Sequence, residues 1–65
     1  MSLGLVGLGA IGGNLAINIQ KSNNLHVYNR TPEQIKTLED SYVNIHGHHS
    51  IEDMVSEMES PRTII

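Results

Sequence analysis

Six consecutive residues, Gly7-Leu8-Gly9-Ala10-Ile11-Gly12, constrain this chain more than any others. They match the pattern G-x-G-x-x-G, which alone is a weak signal. Here it follows the short apolar run Leu3-Gly4-Leu5-Val6-Gly7, which reads as a buried parallel strand. It precedes Ile11, Leu15 and Ile19, spaced by four with Ala16 beside them, which predicts a helix with one apolar face. A glycine-rich turn between strand and helix suits a dinucleotide. Gly7 permits the tight turn, Gly9 lets backbone approach a pyrophosphate, and Gly12 lets the helix pack closely on the sheet. The helix N-terminus adds free N–H groups and partial positive charge. Gly7, Leu8, Gly9, Ala10, Ile11 and Gly12 are therefore the predicted pyrophosphate cradle. The alternative, a glycine-rich turn without a ligand, is disfavoured by the flanking pattern.

The rest of the chain continues the alternation. Lys21 falls near the expected end of the first helix, where a cation suits the dipole, and Asn23 or Asn24 is the predicted left-handed cap. Leu25-His26-Val27-Tyr28 is a second strand. Thr31 fits a helix N-cap, Pro32 the first helical position, and Gln34 the returning partner of a capping box. Ile35 and Leu38 give that helix its apolar side. Val43-Asn44-Ile45 is a third, weaker extended stretch. Ser50 caps another helix, with Glu52 and Asp53 in its first turn and Ile51, Met54, Val55 and Met58 along one face. Pro61 stops that helix or follows it closely, and Thr63-Ile64-Ile65 begins a last strand. The expected fold is α/β, the N-terminal βαβαβαβ portion of a Rossmann-type parallel sheet. Residues 1–65 are expected to be the N-terminal part of a dinucleotide-binding domain within a longer protein, because the chain stops inside an apolar strand.

The coenzyme choice is read from Asn29-Arg30-Thr31, at the end of the second strand. In an NAD site an Asp or Glu near this position accepts hydrogen bonds from the ribose 2'-OH. No acid lies between Gly12 and Glu33. A guanidinium and two polar side chains stand there instead, and an arginine pairs well with a 2'-phosphate. Asn29, Arg30 and Thr31 are therefore predicted to bind NADP. The plainer alternative makes Arg30 a solvated residue and Thr31 only a cap.

Composition narrows the partners. The net charge is -3, and Lys and Arg occur only at Lys21, Arg30, Lys36 and Arg62, so nucleic acid is not an expected partner. No apolar run approaches the roughly 20 residues of a membrane span, and no signal-peptide pattern opens the chain. The absence of cysteine fits a reducing, cytoplasmic compartment. His46, His48 and His49 cluster around Gly47 but lack the i, i+4 spacing of a helical zinc pair. They read as a polar strand-to-helix loop, and no metal is expected. His26 reads as a strand residue. Glu52, Asp53, Glu57 and Glu59 form an acidic helix face.

Gly7-Leu8-Gly9-Ala10-Ile11-Gly12-Gly13-Asn14-Leu15 and Tyr28-Asn29-Arg30-Thr31 resemble the N-terminus of the 6-phosphogluconate dehydrogenases. The related 3-hydroxyisobutyrate dehydrogenases share much of the first block. Gly47-His48-His49-Ser50-Ile51-Glu52-Asp53-Met54-Val55 and Ser60-Pro61-Arg62-Thr63-Ile64-Ile65 resemble the phosphogluconate enzymes in particular. Two positions depart from that pattern: Gly9 is often alanine there, and Asn24 stands where glycine is common. The resemblance implies a cytoplasmic, homodimeric full-length enzyme of the pentose phosphate pathway. It would oxidise and decarboxylate 6-phosphogluconate to ribulose 5-phosphate and carbon dioxide with NADP. The lysine and glutamate that move protons in such enzymes lie beyond residue 65, together with the substrate domain, so the segment alone is expected to be inactive. Lys21 and Lys36 do not match that motif. The alternatives are a 3-hydroxyisobutyrate-type dehydrogenase and a non-catalytic NAD(P)-sensing module on the same fold.

Overall fold

The computed structural model describes residues 2–59 and 62–65. Extended segments separated by helices of seven to ten residues form strands β1 (Ser2–Val6), β2 (Leu25–Tyr28), β3 (Ile45–His48) and β4 (Arg62–Ile64). Helices α1 (Ala10–Ile19), α2 (Pro32–Ser41) and α3 (Ile51–Glu57) connect them. The four strands form one parallel sheet in the order β3-β2-β1-β4. This is the α/β Rossmann-type start expected from the sequence. The predicted stop at Pro61 lies outside the described residues.

The two sheet faces carry different chemistry. Leu5, Leu25, Val27 and Ile45 bury themselves with Leu8, Ala16 and Ile35 under α1 and α2. Burying a Leu or Val side chain of this kind stabilises the fold by about 1.5–3 kcal/mol. On the other face, α3 lays Met54 and Met58 against the sheet. A Cβ on Gly4 would meet the Met58 Cε and Sδ at 3.1 Å and the Met54 Cε at 3.3 Å. Ser50 caps α3 as expected, its hydroxyl accepting from the Asp53 N–H at 3.0 Å.

Four local expectations are corrected. Ile11 and Leu15 do not face the core: they are 86% and 37% exposed, while Ala16 is wholly buried and Ile19 packs partly against the core. The close approach of Gly12 to the Gly7 carbonyl sets the rotation of α1, so the Gly12–Ala16 side meets the sheet. No non-glycine residue among those described has positive φ, so neither Asn23 nor Asn24 is a left-handed cap. The end of α1 is held by amides: Asn23 Nδ2 donates to the Ile19 carbonyl at 3.3 Å and Asn44 Nδ2 to the Gln20 carbonyl at 2.8 Å. Thr31 stands at the N-cap of α2 with Pro32 behind it, yet its hydroxyl makes no capping bond and the capping box with Gln34 does not form.

The third strand is the largest displacement. It is built from Ile45-His46-Gly47-His48, while Val43 is 89% exposed. The stretch read as a polar loop is therefore strand. Ile45 pairs with Leu25, His46 with His26, Gly47 with Val27 and His48 with Tyr28. Alternation places Ile45 and Gly47 toward α2 and the histidines toward α3. A Cβ on Gly47 would collide with Ile35 Cγ2 and lie 2.8 Å from the Glu39 carboxylate, so glycine is the residue that lets α2 close on β3.

Candidate functional site

Parallel pairing brings the ends of β1 and β2 side by side, Val6 against Tyr28. The chain leaves each strand at the same edge of the sheet. The glycine turn after β1 and the Asn29-Arg30-Thr31 loop after β2 are thus neighbours, at the carboxyl end of the strands where open α/β sheets bind ligands.

Gly7 and Gly12 take the conformation and the packing that their spacing predicts, and Gly9 leaves open space. Gly7 has φ +98°, a conformation that disfavours a side chain, and its N–H donates to the Tyr28 carbonyl at 2.9 Å. Gly9 is the N-cap of α1, exposed, with no heavy atom within 4 Å of the position a Cβ would take. Gly12 touches the Gly7 carbonyl so closely that a Cβ would overlap its oxygen. The first intrahelical bond of α1 runs from the Gly13 N–H to the Gly9 carbonyl at 2.7 Å. The N–H groups of Ile11 and Gly12 precede it and have no intrahelical acceptor. They are available to an anion, as the dipole of α1 favours. A cleft of about 330 Å³ between α1 and α2 opens beside Gly9 and is bordered by Asn14, Gln34 and Thr37.

Not every residue of the predicted cradle points outward. The Leu8 side chain is buried in the core, and its N–H donates to Asn29 Oδ1 at 2.8 Å. Asn29 Nδ2 donates to Gln34 Oε1 at 2.7 Å and to the Thr31 carbonyl at 3.2 Å. Arg30 and Thr31 are exposed on the same loop. Sequence reasoning missed the part played by Gln34, and no local signal announces it, because the bond network joins residues 21 apart as well as neighbours.

The histidines assemble away from this site, on the α3 face. His26 Nδ1 and His48 Nε2 are 2.8 Å apart, and the His46 ring centre lies 5.3 Å from that of His26. One imidazole donates and the other accepts. His49, at the β3–α3 junction, is exposed. Among the described residues no three His, Cys, Asp or Glu side chains form a group able to hold a metal ion. No described helix is long and apolar enough to cross a membrane.

Burial lowers the His26 pKa below the ordinary value, with repulsion from His48 and His46 adding to it against attraction from Glu57. Burial also lowers that of His48, against attraction from Glu57, Asp53 and Glu39, with His46 repelling. The unfolded chain therefore takes up protons more readily than the folded one. The stability contributed by the neutral pair is present above the ordinary histidine value of about 6.5 and is lost as pH falls below it. Between about pH 7.5 and about pH 5.5 the unfolding midpoint of the wild type should fall more than that of a His48→Gln variant. Parallel falls would show that the pair does not couple folding to protonation.

Residues 2–65 match the family model described as the NAD binding domain of 6-phosphogluconate dehydrogenase. Similar curated proteins carry the corresponding name. The chain is 40% identical over 68 residues to "6-phosphogluconate dehydrogenase, decarboxylating" of Chlamydia pneumoniae, covering 98% of this chain and 14% of that protein. It is 41% identical over 66 residues to the protein of the same name from Synechococcus elongatus, covering 95% of this chain and 14% of that one. With "6-phosphogluconate dehydrogenase, decarboxylating 2, chloroplastic" of Spinacia oleracea the identity is 39% over 69 residues, covering 97% of this chain and 13% of the relative. The chain thus spans about 14% of the length of the first two of these relatives.

Proposed function

The chain belongs to the family of NAD binding domains of 6-phosphogluconate dehydrogenase, and from that premise we propose that it holds NADP for the decarboxylating oxidation of 6-phosphogluconate by the full-length protein. The observation that carries the coenzyme reading is the turn itself. It combines a positive-φ Gly7, open space at Gly9, a Gly12 seated on the Gly7 carbonyl and the unengaged first-turn N–H groups of α1. That arrangement admits a pyrophosphate, which would take the open space beside Gly9.

In this reading the N–H groups of Ile11 and Gly12 meet the pyrophosphate, and Gly7 and Gly9 keep the approach clear. Arg30 and Thr31 meet the 2'-phosphate, Arg30 by a charge-assisted bond and Thr31 through a hydroxyl left free of capping duty. NADP, when bound, supplies the hydride acceptor. In this reading the proton transfers and the loss of carbon dioxide are the work of the full-length protein, of whose relatives this chain spans about 14%. The full-length protein is proposed to be a cytoplasmic homodimer with 6-phosphogluconate as its substrate partner.

The full-length protein, given 6-phosphogluconate and NADP, should form NADPH, ribulose 5-phosphate and carbon dioxide in equal amounts. With 3-hydroxyisobutyrate it should form little NADPH. The reverse preference would move the protein to the hydroxyisobutyrate dehydrogenases. Coenzyme binding without turnover of either substrate would make it a dinucleotide sensor.

A further inference from the structure

We propose that Glu39 guards the open edge of the sheet: its carboxylate occupies the backbone donor on β3 through which a second copy of the chain would otherwise add its own β3. The proposal stands apart from the coenzyme reading and goes beyond it.

β3 is the first strand in the order β3-β2-β1-β4, so among the described residues no strand lies along its far side. A strand sends the N–H and C=O of successive residues to opposite sides. The Asn44 carbonyl accepts from the Leu25 N–H at 2.9 Å, which assigns Asn44, His46 and His48 to the β2 side and Ile45 and Gly47 to the open side. An open row of backbone groups is a template for another strand. Here both of its N–H groups are taken, each by the end of α2. The Ile45 N–H donates to the Tyr42 carbonyl at 3.1 Å. The Gly47 N–H donates to Glu39 Oε2 at 2.9 Å.

Glu39 stands in the last turn of α2, where the helix dipole favours a cation over an acid. Its use is tertiary. Gly47 makes room for it, since a Cβ there would lie 2.8 Å from the Glu39 carboxylate. An ionised carboxylate only accepts, so it satisfies the Gly47 donor and repels the carbonyl of any strand that approaches. Without it, two copies of β3 fit antiparallel about a two-fold axis at His46. Gly47 of each copy then faces Ile45 of the other, and its N–H donates to that Ile45 carbonyl, twice by symmetry. Tyr42 keeps the Ile45 N–H throughout, so the Glu39 bond is the contact that has to go. The two His46 residues oppose each other at the axis, with Cα atoms about 4.5 Å apart.

The test compares full-length wild type, Glu39→Ala, Glu39→Asp, Glu39→Gln and the double variant Glu39→Ala with His46→Lys. Amide hydrogen exchange and sedimentation over a range of concentrations are measured, with folding checked by circular dichroism. At low concentration Glu39→Ala should speed exchange of the Gly47 amide by about 10- to 100-fold, the worth of one bond to a charged acceptor. As concentration rises it should associate beyond the wild-type assembly. Glu39→Asp keeps the charge but is one methylene short of the N–H, and it should associate in the same way. Glu39→Gln drops the charge but keeps an oxygen that reaches, and it should hold the wild-type assembly. His46 is exposed, and lysine there sets two ammonium groups opposite each other at the axis, so the double variant should return to the wild-type assembly. Gly47 exchange in Glu39→Ala as slow as in wild type, or wild-type assembly at every concentration, would overturn the proposal. Association of Glu39→Gln would trace the effect to net charge and overturn it too. Association that survives His46→Lys would put the contact elsewhere, with the same consequence. Should Glu39→Ala not fold, Asp and Gln variants that behave alike would overturn it by themselves.

Discussion

Arg30→Ala in the full-length protein is expected to weaken NADP binding by about 10- to 100-fold while NAD affinity changes little. The chain is net acidic at -3, so no general positive field attracts the additional phosphate. A specific cation is needed, and Arg30 is the one Lys or Arg between Lys21 and Lys36. It lies immediately after the loop's first residue, Asn29, at the carboxyl end of β2, and it is exposed. A charge-assisted hydrogen bond contributes roughly 1.5–3 kcal/mol, which sets the range. Because the guanidinium is exposed, salt screens the pair, and NADP affinity should fall with ionic strength more steeply than NAD affinity. Titration of both coenzymes at low and high salt measures each part. Equal losses for NADP and NAD would assign Arg30 to the fold or the adenine and would leave the NADP preference without its cation.

The second large effect contrasts two glycines three positions apart. Gly9→Val should abolish measurable coenzyme binding and leave the fold intact. At Gly9 the backbone is extended (φ -62°, ψ -173°), a conformation valine accepts, and a Cβ there meets no protein atom within 4 Å. Stability should therefore fall by only about 1 kcal/mol, the cost of placing valine at the N-cap of α1 in place of glycine. The isopropyl group instead fills the space through which a pyrophosphate reaches the first-turn N–H groups of α1. Gly12→Val should do the opposite first. Its Cβ overlaps the Gly7 carbonyl oxygen, and the Gly7 carbonyl carbon lies 3.1 Å away. Neither is the end of a flexible side chain, so α1 must lift from the sheet. Such overpacking costs about 1–3 kcal/mol, occasionally more. Unfolding midpoints and coenzyme titrations on both variants separate the two effects. Wild-type affinity in Gly9→Val would move the phosphate site away from the turn.

These expectations draw on different amounts of sequence and structure. The conformation of Gly7 and the close packing at Gly12 were legible because backbone conformation and close approach are short-range demands that a spacing of glycines records. β2 was legible at Leu25–Tyr28, and so was the Ser50 cap, since each rests on neighbouring residues. β3 was not. Its outer residues are histidines, and hydropathy does not mark as strand a run whose only large apolar residue is Ile45. Only pairing with β2 fixes it, rung by rung from Leu25 to Tyr28.

By itself, then, the sequence determined the order of elements, the parallel sheet and the glycine turn, all of which follow from periodicity and local stereochemistry. The tertiary structure alone decided which side of α1 is buried, because the contact between Gly12 and the Gly7 carbonyl outweighs the apolar stripe of Ile11 and Leu15. It alone decided that His26 meets His48, 22 residues away, and that the Asn29 amide faces Leu8 and Gln34. Hydrogen bonds of that kind depend on angles and distances between separate elements. No pattern of residue types along the chain encodes those until the sheet has brought the elements together.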